Sequence, residues 1–177
     1  MTEASERALT MLNIALEKEE KGRQFYKEAA AKCASEVGKE MFRSLMADEG
    51  VHIKRIKEIF SALEKGQGWN SEWRKLQVEN EDLRSLIQER MTKLGPKVKP
   101  ESSDLEAVKI ALEMEQGAIT FYQDQFVKAA DPLERDFIIK MIAEERTHFA
   151  ALGDVKMFLE DPESWFAEKE RSGLDGA

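Results

Sequence analysis

Apolar residues recur along most of this chain in alternating steps of four and three, the spacing that lines one face of an α-helix. The first stripe runs Ala8, Leu12, Ala15, Glu19, Gly22, Tyr26, Ala29, Cys33, and the second Phe42, Leu45, Glu49, His52, Ile56, Ile59, Leu63. A third reads Val108, Ala111, Glu115, Ala118, Tyr122, and a fourth Ile138, Met141, Glu145, His148, Leu152, Val155, Leu159. Each predicted helix thus carries a Glu on the face that faces a core, and two of them add a His one turn on. The alternation is that of helices packed side by side in a bundle.

Turn chemistry divides the stripes. Ser103 with Glu106 predicts a capping box before the third helix. Asp131-Pro132 with Glu134 predicts an N-cap, a proline at the first helical position and an acidic first turn for the fourth, which Asp161-Pro162 closes. A break near Ser35 to Gly38 separates the first two. The expected organisation is one domain over 1–177, with helical hairpins at about 5–64 and 103–160, a crossover at about 65–102 and a tail at 161–177. Gly66, Gly68, Gly95 and Pro96 punctuate the crossover, while Trp73, Leu76, Leu83, Leu86, Ile87, Met91 and Leu94 predict one or two short amphipathic helices in it. The tail, with Trp165 and Phe166, is expected to dock on the bundle or on a second subunit.

Composition narrows the function. Few Gly and Pro among abundant Ala, Leu, Glu, Lys and Met agree with an all-α chain. A net charge of -8 argues against a nucleic-acid partner, which clustered Lys and Arg would serve. No apolar stretch approaches a membrane span and the first residues carry no signal pattern, so no membrane association and a cytoplasmic location are expected. Cys33 is the only cysteine, which removes intramolecular disulfides and thiolate metal cages and leaves Cys33 as small core packing.

The stripes are also copies of each other. Ile14-Ala15-Leu16-Glu17-Lys18-Glu19 returns 96 residues later as Ile110-Ala111-Leu112-Glu113-Met114-Glu115, and the same offset carries Glu49 and His52 onto Glu145 and His148. A single Glu-x-x-His is weak evidence, because it places two polar side chains on one helical face and nothing more. Here the chain has only two histidines, and both stand in this motif, at equivalent places of the repeat and on the buried stripe. Four carboxylates converging in a dry core repel one another and lose hydration, so the site calls for cations. Two divalent ions balance Glu19, Glu49, Glu115 and Glu145, and neutral His52 and His148 complete a shell of oxygen and nitrogen that favours iron or manganese and also accepts zinc.

Tyr26 and Tyr122, the only tyrosines, each follow a stripe Glu by seven residues, about 10 Å along the axis. Each either reaches a ligand carboxylate on a neighbouring helix or serves as an amphipathic core residue. Asp48 and Glu144, just before the motif glutamates, either orient a His or, the preferred reading, are solvated flanks, and Glu17 and Glu113 fall on the outer face.

The pattern Glu19…Tyr26, Glu49-x-x-His52, Glu115…Tyr122, Glu145-x-x-His148 resembles the ferritin-like superfamily, all-α four-helix bundles with a long crossover between helices 2 and 3. The wording Phe25-Tyr26 and Ala143-Glu144-Glu145-Arg146-Thr147-His148 most resembles its rubrerythrin branch. The resemblance implies two iron ions, with Glu49 and Glu145 as the bridging, catalytic carboxylates, Glu19 and Glu115 as terminal ligands and one His per ion. It further implies reduction of hydrogen peroxide or dioxygen, with ferrous oxidation as the partial reaction. The chain departs from the family in two respects. Cys33 alone cannot build a rubredoxin-like site, so the electrons are expected from an external donor. Rubrerythrins also carry a further Glu one turn after the third-helix ligand, where this chain has Ala118, with Gly22 at the equivalent place in the first helix. The six-ligand set is in that respect closer to bacterioferritin. A storage ferroxidase and a non-catalytic, zinc-stabilised bundle are the competing readings. The long crossover with Trp69 and Trp73 is unlike a cage subunit, and a homodimer is the expected assembly.

Overall fold

A computed structural model describes residues 3–79, 82–96 and 101–174. Parts of the expected crossover (80–81, 97–100) and the two chain ends (1–2, 175–177) lie outside the described residues. Every regular element among the described residues is helical: α1 (Glu3–Lys32), α2 (Glu36–Glu64), a 3-10 turn (Glu72–Lys75), α3 (Leu83–Leu94), α4 (Ser102–Lys128), α5 (Pro132–Glu160) and α6 (Pro162–Leu174). Helix α1 packs chiefly on α2 and α4 on α5, giving the two expected hairpins, while α3 lies against α5 and α2.

The stripes read from the sequence are the faces that bury. Every position of the first, second and fourth is buried, and in the third only Ala118 is half-buried. The apolar core falls into two clusters. One gathers Tyr26, Phe42, Leu45, Val108, Leu152 and Phe158, and the other Leu12, Ala15, Ile56, Ile59, Tyr122, Phe137 and Met141. In all four long helices the polar stripe residues lie between the two clusters, so a charged layer crosses the bundle at mid-length. The order of clusters also explains the long connection. Helix α2 ends in the second cluster and α4 begins in the first, so the intervening chain must travel the length of the bundle. On the way it buries Trp73 in the second cluster and Leu83, Ile87 and Met91 in the first.

Local chemistry sets most boundaries. The Ser35 side chain accepts from the amide of Gly38 and caps α2. Gly66 and Gly68, at φ 72° and 73°, let the chain leave α2 through the left-handed region. Asp131 accepts from the amides of Leu133 and Glu134 with Pro132 in the first turn, as expected. The expected capping box before α4 does not form: Glu101 occupies the N-cap without a side-chain bond, and Ser103 and Glu106 are exposed. A tertiary contact sets that start instead. Asp104, 2 % exposed, accepts from the amides of Ala34 (3.0 Å) and Ser35 (2.8 Å), tying the α1–α2 turn to α4. The tail docks on its own bundle as α6, with the Trp165 ring edge-on to Phe158 at 5.6 Å. Among the described residues no helix is long and apolar enough to cross a membrane.

Candidate metal centre

Each hairpin contributes one lone Glu and one Glu-x-x-His to the mid-bundle layer. Glu19, Glu49, His52 and Glu145 offer ligand atoms within 4.8 Å of one another, and so do Glu49, Glu115, Glu145 and His148. Glu49 and Glu145 belong to both groups. All six residues are at most 4 % exposed. The imidazoles of His52 and His148 face each other with centroids 5.7 Å apart.

The histidines decide what the cage can hold. His52 Nε2 lies 3.1 Å from Glu144, and His148 Nε2 lies 3.2 Å from Asp48. Those carboxylates accept, so each Nε2 carries the proton and each neutral ring turns the Nδ1 lone pair inward. There the Nδ1 of His52 meets oxygens of Glu19 at 3.1 Å and Glu145 at 3.3 Å, and that of His148 meets Glu145 at 3.3 Å. Lone pairs face lone pairs unless a proton or a metal ion stands between them. Four buried atoms, Glu49 Oε2, both oxygens of Glu145 and Nδ1 of His148, have no hydrogen-bond partner. An anionic, dry donor set of this kind fits a pair of divalent cations.

Without metal the cage must collect protons. Burial, then the neighbouring carboxylates Glu19 and Glu145, push Glu49 well above the usual carboxylate range. Burial and the charge of Glu145 push Glu115 up to about 8. At His52 and His148 burial works against the imidazolium, but Glu145 at the first and Glu115 at the second outweigh it and hold both well above the ordinary value.

A family model described as Rubrerythrin matches residues 10–155. The chain belongs to the rubrerythrin family. Comparison with curated proteins and with solved structures returned no match. The matched span takes in the candidate site, the crossover and nearly all of the four long helices, and stops before α6.

Around this rubrerythrin-family centre the structure supplies partners that the sequence left open or misjudged. Tyr122 donates to Glu19 at 2.6 Å, and Tyr26 donates to Glu115. Each hydroxyl reaches across to the other hairpin. Asp48 and Glu144 are not the solvated flanks expected of them: they are 2 % and 8 % exposed, because a position beside the core stripe faces the neighbouring helix in a bundle. Each accepts from the histidine of the opposite hairpin. Burial works against charge on Glu144, but His52 and Arg55 outweigh it and hold its pKa down at about 2. Arg55 itself is fully buried and escaped the sequence reading; the one signal for it was its place three residues after His52. Glu17 and Glu113 are exposed, as expected.

Two cavities adjoin the layer. One of about 210 Å³ opens between α1 and α4, where Gly22, Met114 and Ala118 give onto Glu19, Glu49, Glu115 and Glu145. A Cβ on Gly22 would stand 3.5 Å from the Glu49 carboxylate, so the small residue sets how close the cavity comes to the site. The other, about 230 Å³, lies between α2 and α5 and reaches Asp48, Glu144 and His148.

Proposed function

We propose that this rubrerythrin-family protein is a di-iron oxidoreductase that reduces hydrogen peroxide, or dioxygen, with electrons from an external donor. The observation that carries the reading is the set of unpartnered buried atoms on Glu49, Glu145 and His148, inside two ligand groups that share Glu49 and Glu145. Bound there, a ferrous pair would supply the two electrons that, with two protons, convert one peroxide into two waters.

The chain's own groups prepare the place. Glu19 and His52 would hold one ion and Glu115 and His148 the other, with Glu49 and Glu145 shared. Asp48 and Glu144 orient the imidazoles, and Tyr26 and Tyr122 hold the terminal carboxylates. Gly22 and Ala118 leave room for a molecule the size of peroxide to come in from the α1–α4 side. The same two small residues favour a second reading, ferrous oxidation in the manner of bacterioferritin, since neither adds a seventh carboxylate.

Anaerobic titration of metal-free protein with ferrous iron, followed by peroxide or air, separates these readings. Two irons per chain that oxidise faster with peroxide than with air support the reductase. Preference for air moves the assignment to a ferroxidase, and a large hollow particle would make that storage. Two bound ions inert to both oxidants mark a metal-stabilised bundle.

A further inference from the structure

The internal repeat makes the two halves of the centre nearly equivalent, and behind the two histidines the equivalence is broken by charged residues. On one half, His52 Nε2 donates to Glu144, and Glu144 also takes both terminal nitrogens of the buried Arg55 guanidinium, Nη2 at 3.2 Å, and has Lys140 Nζ at 3.2 Å. Arg55 Nε donates to the carbonyl of Leu76 at 2.7 Å, so the crossover backbone pins the guanidinium in place. On the other half, His148 Nε2 donates to Asp48. The offset of 96 residues puts Ala151 where Arg55 stands and Ser44 where Lys140 stands. Among the described residues Asp48 forms no ion pair with a lysine or arginine.

From this asymmetry we propose that Arg55 is a positioning residue that makes the two metal positions unequal, leaving the His148 half the tighter and the His52 half the weaker. The proposal rests on the two-ion reading of the site. Two effects act in one direction. A carboxylate that keeps its negative charge polarises the imidazole that donates to it and strengthens the opposite nitrogen as a ligand; one neutralised by a guanidinium does so less. A permanent cation fixed behind His52 also opposes the arrival of a second cation in front of it. The Leu76 carbonyl adds a role for the crossover: it holds Arg55 on Glu144, where the arginine acts on His52 without touching any ion.

The test is titration of the metal-free full chain with cobalt(II), followed by absorbance and calorimetry and needing no turnover. The wild type should bind two ions in separate steps about tenfold or more apart. His148→Ala should remove the tighter step and His52→Ala the weaker. Arg55→Met should tighten the weaker step and narrow the gap, Arg55→Lys should keep the gap, and Glu144→Gln should weaken the weaker step and widen it. Opposite movements on breaking one ion pair from its two ends are what a merely structural contact cannot produce. If Arg55→Met does not fold, Arg55→Gln supplies the uncharged end of the pair in its place. Equal steps in the wild type, or parallel loss of both steps in the two variants, overturn the proposal. Failure of the wild type to bind two ions overturns the two-ion reading itself.

Discussion

Tyr122 on α4 donates its hydroxyl to Glu19 on α1 at 2.6 Å, and Tyr26 on α1 returns the bond to Glu115 on α4. The exchange couples the two hairpins across the cavity between them. Tyr122→Phe strands a carboxylate oxygen of Glu19 in a dry site, which should destabilise the metal-free protein by about 1–3 kcal/mol. It should also weaken the ion held by Glu19 and His52 about tenfold while sparing the other. Tyr26→Phe should do the reverse. Urea unfolding and stepwise cobalt(II) titration check both; equal weakening of the two ions by either variant would contradict the pairing.

Metal-free protein should lose stability as pH rises from about 5 to 8. Glu115, raised from 4.5 to about 8, binds a proton in the folded state that the unfolded chain has already released across that window. By linkage, stability then falls with pH. His52 and His148, both raised, act in the same sense: their contribution is complete below the ordinary histidine value and is lost as pH passes the folded one. Metal ions replace those protons, so loaded protein should keep its melting temperature over the same range. Paired melting curves with and without metal test this, and parallel pH profiles would refute it.

Asp48→Ala should lower affinity for the ion held by His148 about 10- to 100-fold, because the imidazole loses the acceptor that fixes its tautomer. Glu17→Ala removes an exposed carboxylate on the outer face of α1 and should leave the metal content at two. Metal analysis after dialysis distinguishes them. Loss of metal from Glu17→Ala would mean that the helical register assigned to α1 is wrong.

What the sequence made legible was whatever one helix determines by itself. Glu19 and Glu49 stand out because a charged residue interrupts a periodic apolar stripe, and the repeat doubles the signal at Glu115 and Glu145. Asp48 and Glu144 could be read as partners of a His or as solvated flanks, and Arg55 was illegible, for the complementary reason. Each is buried by a different helix or by the crossover, and an acidic or basic residue beside a stripe looks the same whether it faces water or a neighbour. The same holds at the start of α4, where a bond from Asp104 to another hairpin replaces the local cap that Ser103 and Glu106 promised.

Asp104 lies away from the metal layer and accepts two backbone amides, so Asp104→Ala should separate stability from chemistry. Hydrogen bonds to a buried charged acceptor contribute about 1.5–3 kcal/mol each and share cooperatively, so a loss of about 2–4 kcal/mol is expected. Ferrous stoichiometry and oxidation rate, measured well below the melting temperature, should be unchanged. A changed metal count would show that the α1–α2 turn helps to position the site.

Gly22 offers a way to tell whether the α1–α4 cavity is the entrance. A glycine inside a helix costs about 1 kcal/mol relative to alanine, so keeping one at Gly22 needs a reason. The reason is not a clash, since a Cβ there would meet the Glu49 carboxylate at 3.5 Å, an ordinary contact. Gly22→Ala should therefore raise stability by about 1 kcal/mol and leave two ions bound. Gly22→Leu carries its branched side chain into the cavity beside Glu49, and should slow oxidation of bound ferrous iron by peroxide while the equilibrium metal content stays at two. If the Leu variant reacts at the wild-type rate, peroxide enters elsewhere, and the cavity between α2 and α5 that reaches Asp48 and His148 becomes the path to block next.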